Sequence, residues 1–270
     1  MKTLWKPAAA AMIAGLSLTA PAGAQGLDQL VQLEVLDGGK TANGTYQGAL
    51  RLTLKDGWKT YWRAPGDAGI PPHFDWSGSG NVGDVSITWP APHVFDQNGL
   101  RSIGYEDQLV LPVEITPKNP AKPVRLRGQM DFGVCKDVCI PGQLGFDHTL
   151  NAQAGRNPTI AAALAQRPFS ASEAGVAGAS CHLSPTQDGM QIEARITMPP
   201  AGGTEVAVIE PGNPALWASQ SQAERHGDTL IARTEVINAS GAPFALDRSE
   251  VRITVLGASH AVDIHGCSAG

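Results

Sequence analysis

Val124-Arg-Leu-Arg-Gly-Gln-Met-Asp-Phe132-Gly-Val-Cys135-Lys-Asp-Val-Cys139-Ile-Pro-Gly142-Gln-Leu-Gly-Phe-Asp-His-Thr-Leu150 reads as two strands separated by a cysteine-bracketed break. Apolar residues fall on alternate positions at Val124, Leu126, Met130 and Phe132, the period of a strand with one buried face. Pro141-Gly142 marks the return of the chain into a second run, Gln143 to Leu150. A disulfide needs α-carbons about 4.4 to 6.8 Å apart, whereas four steps of extended strand cover roughly 13 Å. If Cys135 and Cys139 are bonded, the chain must turn between them, in a helical turn or a strand-end loop.

The same pattern extends outward in both directions. Leu30–Val35, Ala49–Leu54, Val85–Trp89 and Leu109–Ile115 alternate in the same way, with Asp-Gly turn signals at 37–38 and 56–57. The 31 Gly and 20 Pro interrupt the chain too often for long helices, so an antiparallel sandwich is expected. Segments 64–84 and 90–104 read as long connections rich in proline and glycine, a kind of loop that is usually functional or disordered. Composition shifts over 151–178, where a short helix is expected at 159–166, capped near Asn157 or Thr159. Alternating runs resume at Gln191–Met198, Glu205–Ile209, Thr229–Val236 and Glu250–Leu256. The chain is therefore expected to be all-β. A first domain is expected over 25–152, a linker with a short helix over 153–178, and a second, smaller β-sandwich over 179–270.

Residues 1–24 read as a secretory signal peptide, with Lys2 and Lys6 before an apolar run from Ala8 to Thr19 and a small-residue cleavage site at Ala22-Gly23-Ala24. The apolar run is shorter than the roughly 20 residues a membrane helix needs, so a soluble exported protein without direct membrane insertion is expected. A net charge of −5 on only 17% charged residues offers no basic stripe, which argues against nucleic acid as a partner.

Four cysteines allow three pairings, and their positions favour Cys135 with Cys139 and Cys181 with Cys267. The second pair brackets its domain and closes a long loop, as a structural staple does; chain entropy assigns such a bridge about 4.5 kcal/mol. An alternative is a copper or zinc site built from Cys181, His182, His265 and Cys267. The first pair closes a loop worth only about 2 kcal/mol, which a staple role explains poorly. Redox exchange explains it better, and such a pair needs shielding from unselective attack. The loop from Trp62 to Trp76, with its prolines, glycines and aromatics, is a candidate lid, although Trp58 and Trp76 singly are better read as core.

These stretches carry a family resemblance. Gly57–Gly69 (GWKTYWRAPGDAG), Ile87–Pro92 (ITWPAP), Gly104–Glu114 (GYEDQLVLPVE) and the Cys135–Pro141 motif make residues 28–150 resemble the N-terminal periplasmic domain of the DsbD thiol:disulfide interchange family. The likeness is nearest to the ScsB-like variant linked to copper tolerance. The resemblance implies an immunoglobulin-like sandwich that takes electrons from a membrane-embedded electron transporter and passes them to periplasmic thioredoxin-like proteins. It also implies a cap loop at Tyr61, Trp62 and Arg63. By the family's motif order Cys139 attacks and Cys135 resolves, and no cofactor is required. Members with the full transporter have five residues between the two cysteines, against three here. The chain to Gly270 shows neither membrane helices nor a thioredoxin domain, so it is expected to act as one stage of a relay. A copper-handling or scaffolding protein is the alternative, disfavoured by only five Met and seven His scattered along the chain.

Overall fold

The computed structural model describes residues 26–97 and 100–270; the expected signal peptide lies outside the described residues. In the first part of the chain lie β1 (Val31–Lys40), β2 (Tyr46–Leu54), β3 (Lys59–Tyr61), β4 (His73–Asp75), β5 (Val82–Ile87), β6 (His93–Gln97), β7 (Leu100–Glu106), β8 (Gln108–Pro117), β9 (Arg125–Cys135) and β10 (Cys139–Thr149). One sheet has the order β1-β2-β8-β5, the other β10-β9-β3-β7-β6 with β4 also on β9. Alternation selects the inner faces. Leu50, Leu52 and Leu54 from β2 share one buried cluster with Leu109, Leu111, Val113 and Ile115 from β8 and with Leu126, Met130 and Phe132 from β9.

Two segments expected to be connections carry strands. Residues 64–84 hold β4 and the start of β5, and 90–104 holds β6 and most of β7. The run Leu100–Glu106 hid its strand because Ser102 to Tyr105 are buried in succession, with no exposed face to produce alternation. Gly104 fits there because a Cβ would lie 2.1 Å from the Thr60 carbonyl oxygen.

Between the sandwiches, α1 (Pro158–Ala165) is capped by the Asn157 side chain, which accepts from the N–H groups of Thr159 and Ile160. Ile160 and Ala163 bury it against Leu36, Ala49 and Val110 of the first sandwich. The second sandwich is built from β11 (Phe169–Ser170), β12 (Gly178–Pro185), β13 (Gly189–Thr197), β14 (Val206–Glu210), β15 (Leu216–Ala218), β16 (Gln222–His226), β17 (Thr229–Asn238), β18 (Arg252–Leu256), β19 (Ala261–His265) and β20 (Ser268–Ala269). Its sheets run β11-β19-β18-β14 and β15-β17-β13-β12-β20, with β16 on β17. Their facing residues, among them Ile192, Ile196, Val236, Ile253 and Val262, form a separate core. Val206, Leu256 and Ala261 instead join the first sandwich's cluster, so the β14-β18-β19 face is the one that meets it. Among the described residues no helix is long and apolar enough to cross a membrane.

Candidate functional site

Strands β9 and β10 form a hairpin in which Cys135 and Cys139 are direct cross-strand partners, joined by the turn Lys136-Asp137-Val138. The ladder continues through Val134–Ile140 and Gly133–Pro141, so backbone pairing alone holds the two sulfurs face to face. The α-carbons are 4.2 Å apart and the sulfurs are bonded. The strand-end alternative is thus the one observed. The two cysteines differ sharply in access, for Cys135 is only 6% exposed whereas Cys139 lies on the exposed turn beside Val138, itself 69% exposed.

Beneath the pair, Thr60 Oγ1 donates to the Gly133 carbonyl at 3.0 Å and ties β3 to β9. This fixes the next residue, Tyr61, whose hydroxyl lies 2.6 Å from Cys135 Sγ and 3.1 Å from Cys139 Sγ. A bonded sulfur carries no proton, so the hydroxyl is the donor. Burial raises the Tyr61 pKa above its ordinary value, which keeps the proton on the phenol. Segment 65–71 folds back over this ring. A Cβ on Gly69 would lie 2.9 Å from Tyr61 Cδ1, and one on Gly133 would lie 2.8 Å from Ile70 Cβ and 3.0 Å from Tyr61 Cε2. Two bare glycine surfaces therefore let Tyr61 and Ile70 close down beside the hairpin. Ile70, Pro71, Phe132 and Pro141 line an open groove of 390 Å³ along its flank.

The three residues expected to shield the pair part company here. Only Tyr61 touches sulfur. Trp62 is fully buried in the core of the first sandwich, because alternation along the strand turns it to the opposite face from Tyr61. Arg63 stacks on the Trp62 ring at 3.9 Å and turns its guanidinium toward the second sandwich. Its Nε and Nη2 donate to the two Glu210 carboxylate oxygens at 3.1 and 2.9 Å, and Nη2 also donates to Thr254 Oγ1 at 3.0 Å. Asp263 Oδ1 is 3.9 Å away. Burial lowers the Arg63 pKa from its ordinary value, and Arg252 adds to this, while Glu210 and Asp263 support the charge. Trp58 and Trp76 pack against the core at partial exposure, Trp76 beside Phe74 and Phe146.

Cys181, fully buried on β12, is bonded to Cys267 with α-carbons 5.7 Å apart. Neither sulfur is a thiolate in this state, which removes the soft ligands of the alternative metal site. His182 lies 3.3 Å from the Gly270 carbonyl, and His265 lies 3.3 Å from Asp263. Among the described residues no group of three or more His, Cys, Asp or Glu is arranged to hold a metal. Ile70, which packs beside Gly133, belongs to the Trp62–Trp76 loop expected to act as a lid. The residues that sequence reading missed are Gly133 beside the sulfurs, which carries no side chain to flag it, and Glu210, Thr254 and Asp263 around Arg63, which lie some 150 to 200 positions away.

The chain is similar to known proteins. Residues 29–150 match the model of the family described as thiol:disulfide interchange protein DsbD, N-terminal. The N-terminal periplasmic domain of ScsB from Proteus mirabilis is similar over both sandwiches, with a TM-score of 0.68 at 20% identity, covering 94% of this chain and 97% of that one. At that identity the likeness is one of fold. The reduced DsbD N-terminal domain of Neisseria meningitidis gives a TM-score of 0.29 at 18% identity, covering 46% of this chain and 88% of that one. No curated protein matches the chain.

Proposed function

We propose that this chain, whose residues 29–150 form a DsbD N-terminal-like domain, is a periplasmic relay that carries reducing equivalents from a membrane-embedded transporter to oxidised thioredoxin-like proteins through Cys135 and Cys139. The observation that carries this reading is the unequal exposure of two sulfurs held opposite each other at a hairpin tip.

In the delivering step the Cys139 thiolate attacks one sulfur of the partner's disulfide. That bond breaks, and the released partner thiolate takes up a proton. Cys135 then attacks Cys139 Sγ, forming the intramolecular disulfide and releasing the partner's second sulfur as a thiol. Two electrons and two protons pass to the partner. Recharging is the reverse: a donor's thiolate attacks the exposed Cys139 sulfur, and Cys135 leaves. Tyr61 Oη, within hydrogen-bond distance of both sulfurs, is placed to donate to whichever one carries negative charge. Cys181 and Cys267 play no part in the transfer; their bridge braces the second sandwich.

The test mixes the reduced chain with an oxidised thioredoxin-like protein and follows both by alkylation and mass spectrometry. The wild-type chain is expected to oxidise as the partner is reduced. Cys135→Ala is expected to accumulate a mixed disulfide through Cys139, and Cys139→Ala to be inactive. Reduction of the partner by both single variants at the wild-type rate would sink the assignment.

A further inference from the structure

Arg63 is two residues from the side chain that touches both sulfurs, yet all its hydrogen-bond partners belong to the other sandwich. We propose that the second sandwich positions the exchange site: by gripping Arg63 it fixes the strand end that places Tyr61 Oη on Cys135 and Cys139, which makes Arg63 a positioning residue. The proposal rests on the exchange reading of the cysteine pair and supplies a role for the attached domain.

The grip is a connected array. Glu210 on β14 takes the guanidinium bidentately, Thr254 on β18 accepts a third hydrogen bond, and Asp263 on β19 joins through Arg252, which donates to it at 2.7 and 2.6 Å. The Arg63 side chain is only 13% exposed, so water competes weakly for these bonds. A bidentate fork also fixes orientation, which a point charge does not. On the near side the chain has little slack. Trp62 N–H donates to the Ile103 carbonyl at 3.0 Å, Ile103 N–H donates to the Pro65 carbonyl at 2.9 Å, and the Trp62 ring is locked in the core under the guanidinium. Arg63, Trp62 and segment 65–71 are thus tied into one hydrogen-bonded stretch that leads from the Arg63 anchor to the backbone beside Tyr61.

The readout is the pH dependence of alkylation of the reduced full chain, because the Tyr61 hydroxyl favours a thiolate beside it. Charged groups near the pair are Lys59, opposite Cys135 on β3, Glu106 across from Lys59, Lys136 and Asp137 in the turn, and Asp67 in the segment over Tyr61, and the variants alter none of them. Tyr61→Phe is expected to move the profile up by about one pH unit, the size of one hydrogen bond to a charged acceptor. Arg63→Met is expected to move it in the same direction, with Arg63→Lys and Glu210→Gln showing smaller shifts. The double variant Arg63→Met, Tyr61→Phe is expected to show no shift beyond that of Tyr61→Phe. An unchanged profile in Arg63→Met and Glu210→Gln, both still cooperatively folded, overturns the proposal. So does a double variant in which the two shifts add. If the wild-type dithiol fails to reduce a thioredoxin-like disulfide, the exchange reading falls instead, and the profiles still report whether Arg63 acts through Tyr61.

Discussion

The Tyr61 hydroxyl lies 2.6 Å from Cys135 Sγ although 74 residues separate them in sequence. The contact is made because β3 pairs with β9 and the Thr60 hydroxyl locks that pairing. It gives the less exposed sulfur a fixed donor, and a thiolate formed there is stabilised as a leaving group.

Loss of that donor should therefore cost rate more than stability. Tyr61→Phe keeps the ring and removes only the hydroxyl; exchange with a thioredoxin-like disulfide at neutral pH is expected to slow by about tenfold, the equivalent of one charge-assisted hydrogen bond. Stopped-flow measurement checks the rate, and a thermal melt checks that the midpoint barely moves.

The two disulfides should contribute unequally to stability. The hairpin ladder already opposes Cys135 to Cys139, so replacing both with alanine is expected to cost about 2 kcal/mol or less. Replacing Cys181 and Cys267, which are 86 residues apart, is expected to cost about 4.5 kcal/mol. Urea unfolding of the two double variants measures the difference, and equal losses would contradict the assignment of roles.

Space at Gly133 should control the cover over the site. Gly133→Ala puts a methyl group against Ile70 and Tyr61, so a loss of about 1–3 kcal/mol is expected. Alkylation of the reduced pair is expected to speed up as Ile70 is pushed away. Faster alkylation with an unshifted pH profile is the signature of access rather than of altered acidity.

Acid should weaken the second sandwich. Burial pushes the Asp263 carboxyl up, but the hydrogen bonds from Arg252 and the charges of Arg252, Arg63 and His265 outweigh it, so its pKa is lowered in the fold. Glu205 behaves alike: burial raises it, and Arg225 and the Ala201 N–H bring it below its ordinary value. A depressed folded pKa means that the stabilisation is complete above the unfolded values, about 4, and is lost as pH falls through the folded ones. Thermal midpoints are expected to fall below about pH 4, and Asp263→Asn to flatten that fall.

Much of the fold was legible because strands with one buried face, such as β13 and the first part of β9, print their burial directly as alternation. Strands β6 and β7 were not legible for the opposite reason: β7 is covered on both sides, and β6 is too short to establish a period. At the site, both cysteine pairings were readable from spacing, since a three-residue turn and a domain-bracketing pair leave distinct patterns. The fates of Tyr61, Trp62 and Arg63 were not. Adjacent residues of a strand end point to opposite faces, and which face meets sulfur, core or second sandwich depends on packing between elements far apart in sequence.

The hairpin-tip disulfide also has a consequence for biosynthesis. A chain delivered from its N-terminus exposes Cys135, Cys139 and Cys181 well before Cys267, so for 86 residues the staple's first cysteine has no correct mate. The short turn lets Cys135 and Cys139 find each other far faster than either can reach Cys181. A bond that contributes little to the finished fold thus removes two wrong partners during folding and holds Cys181 in reserve until its own arrives.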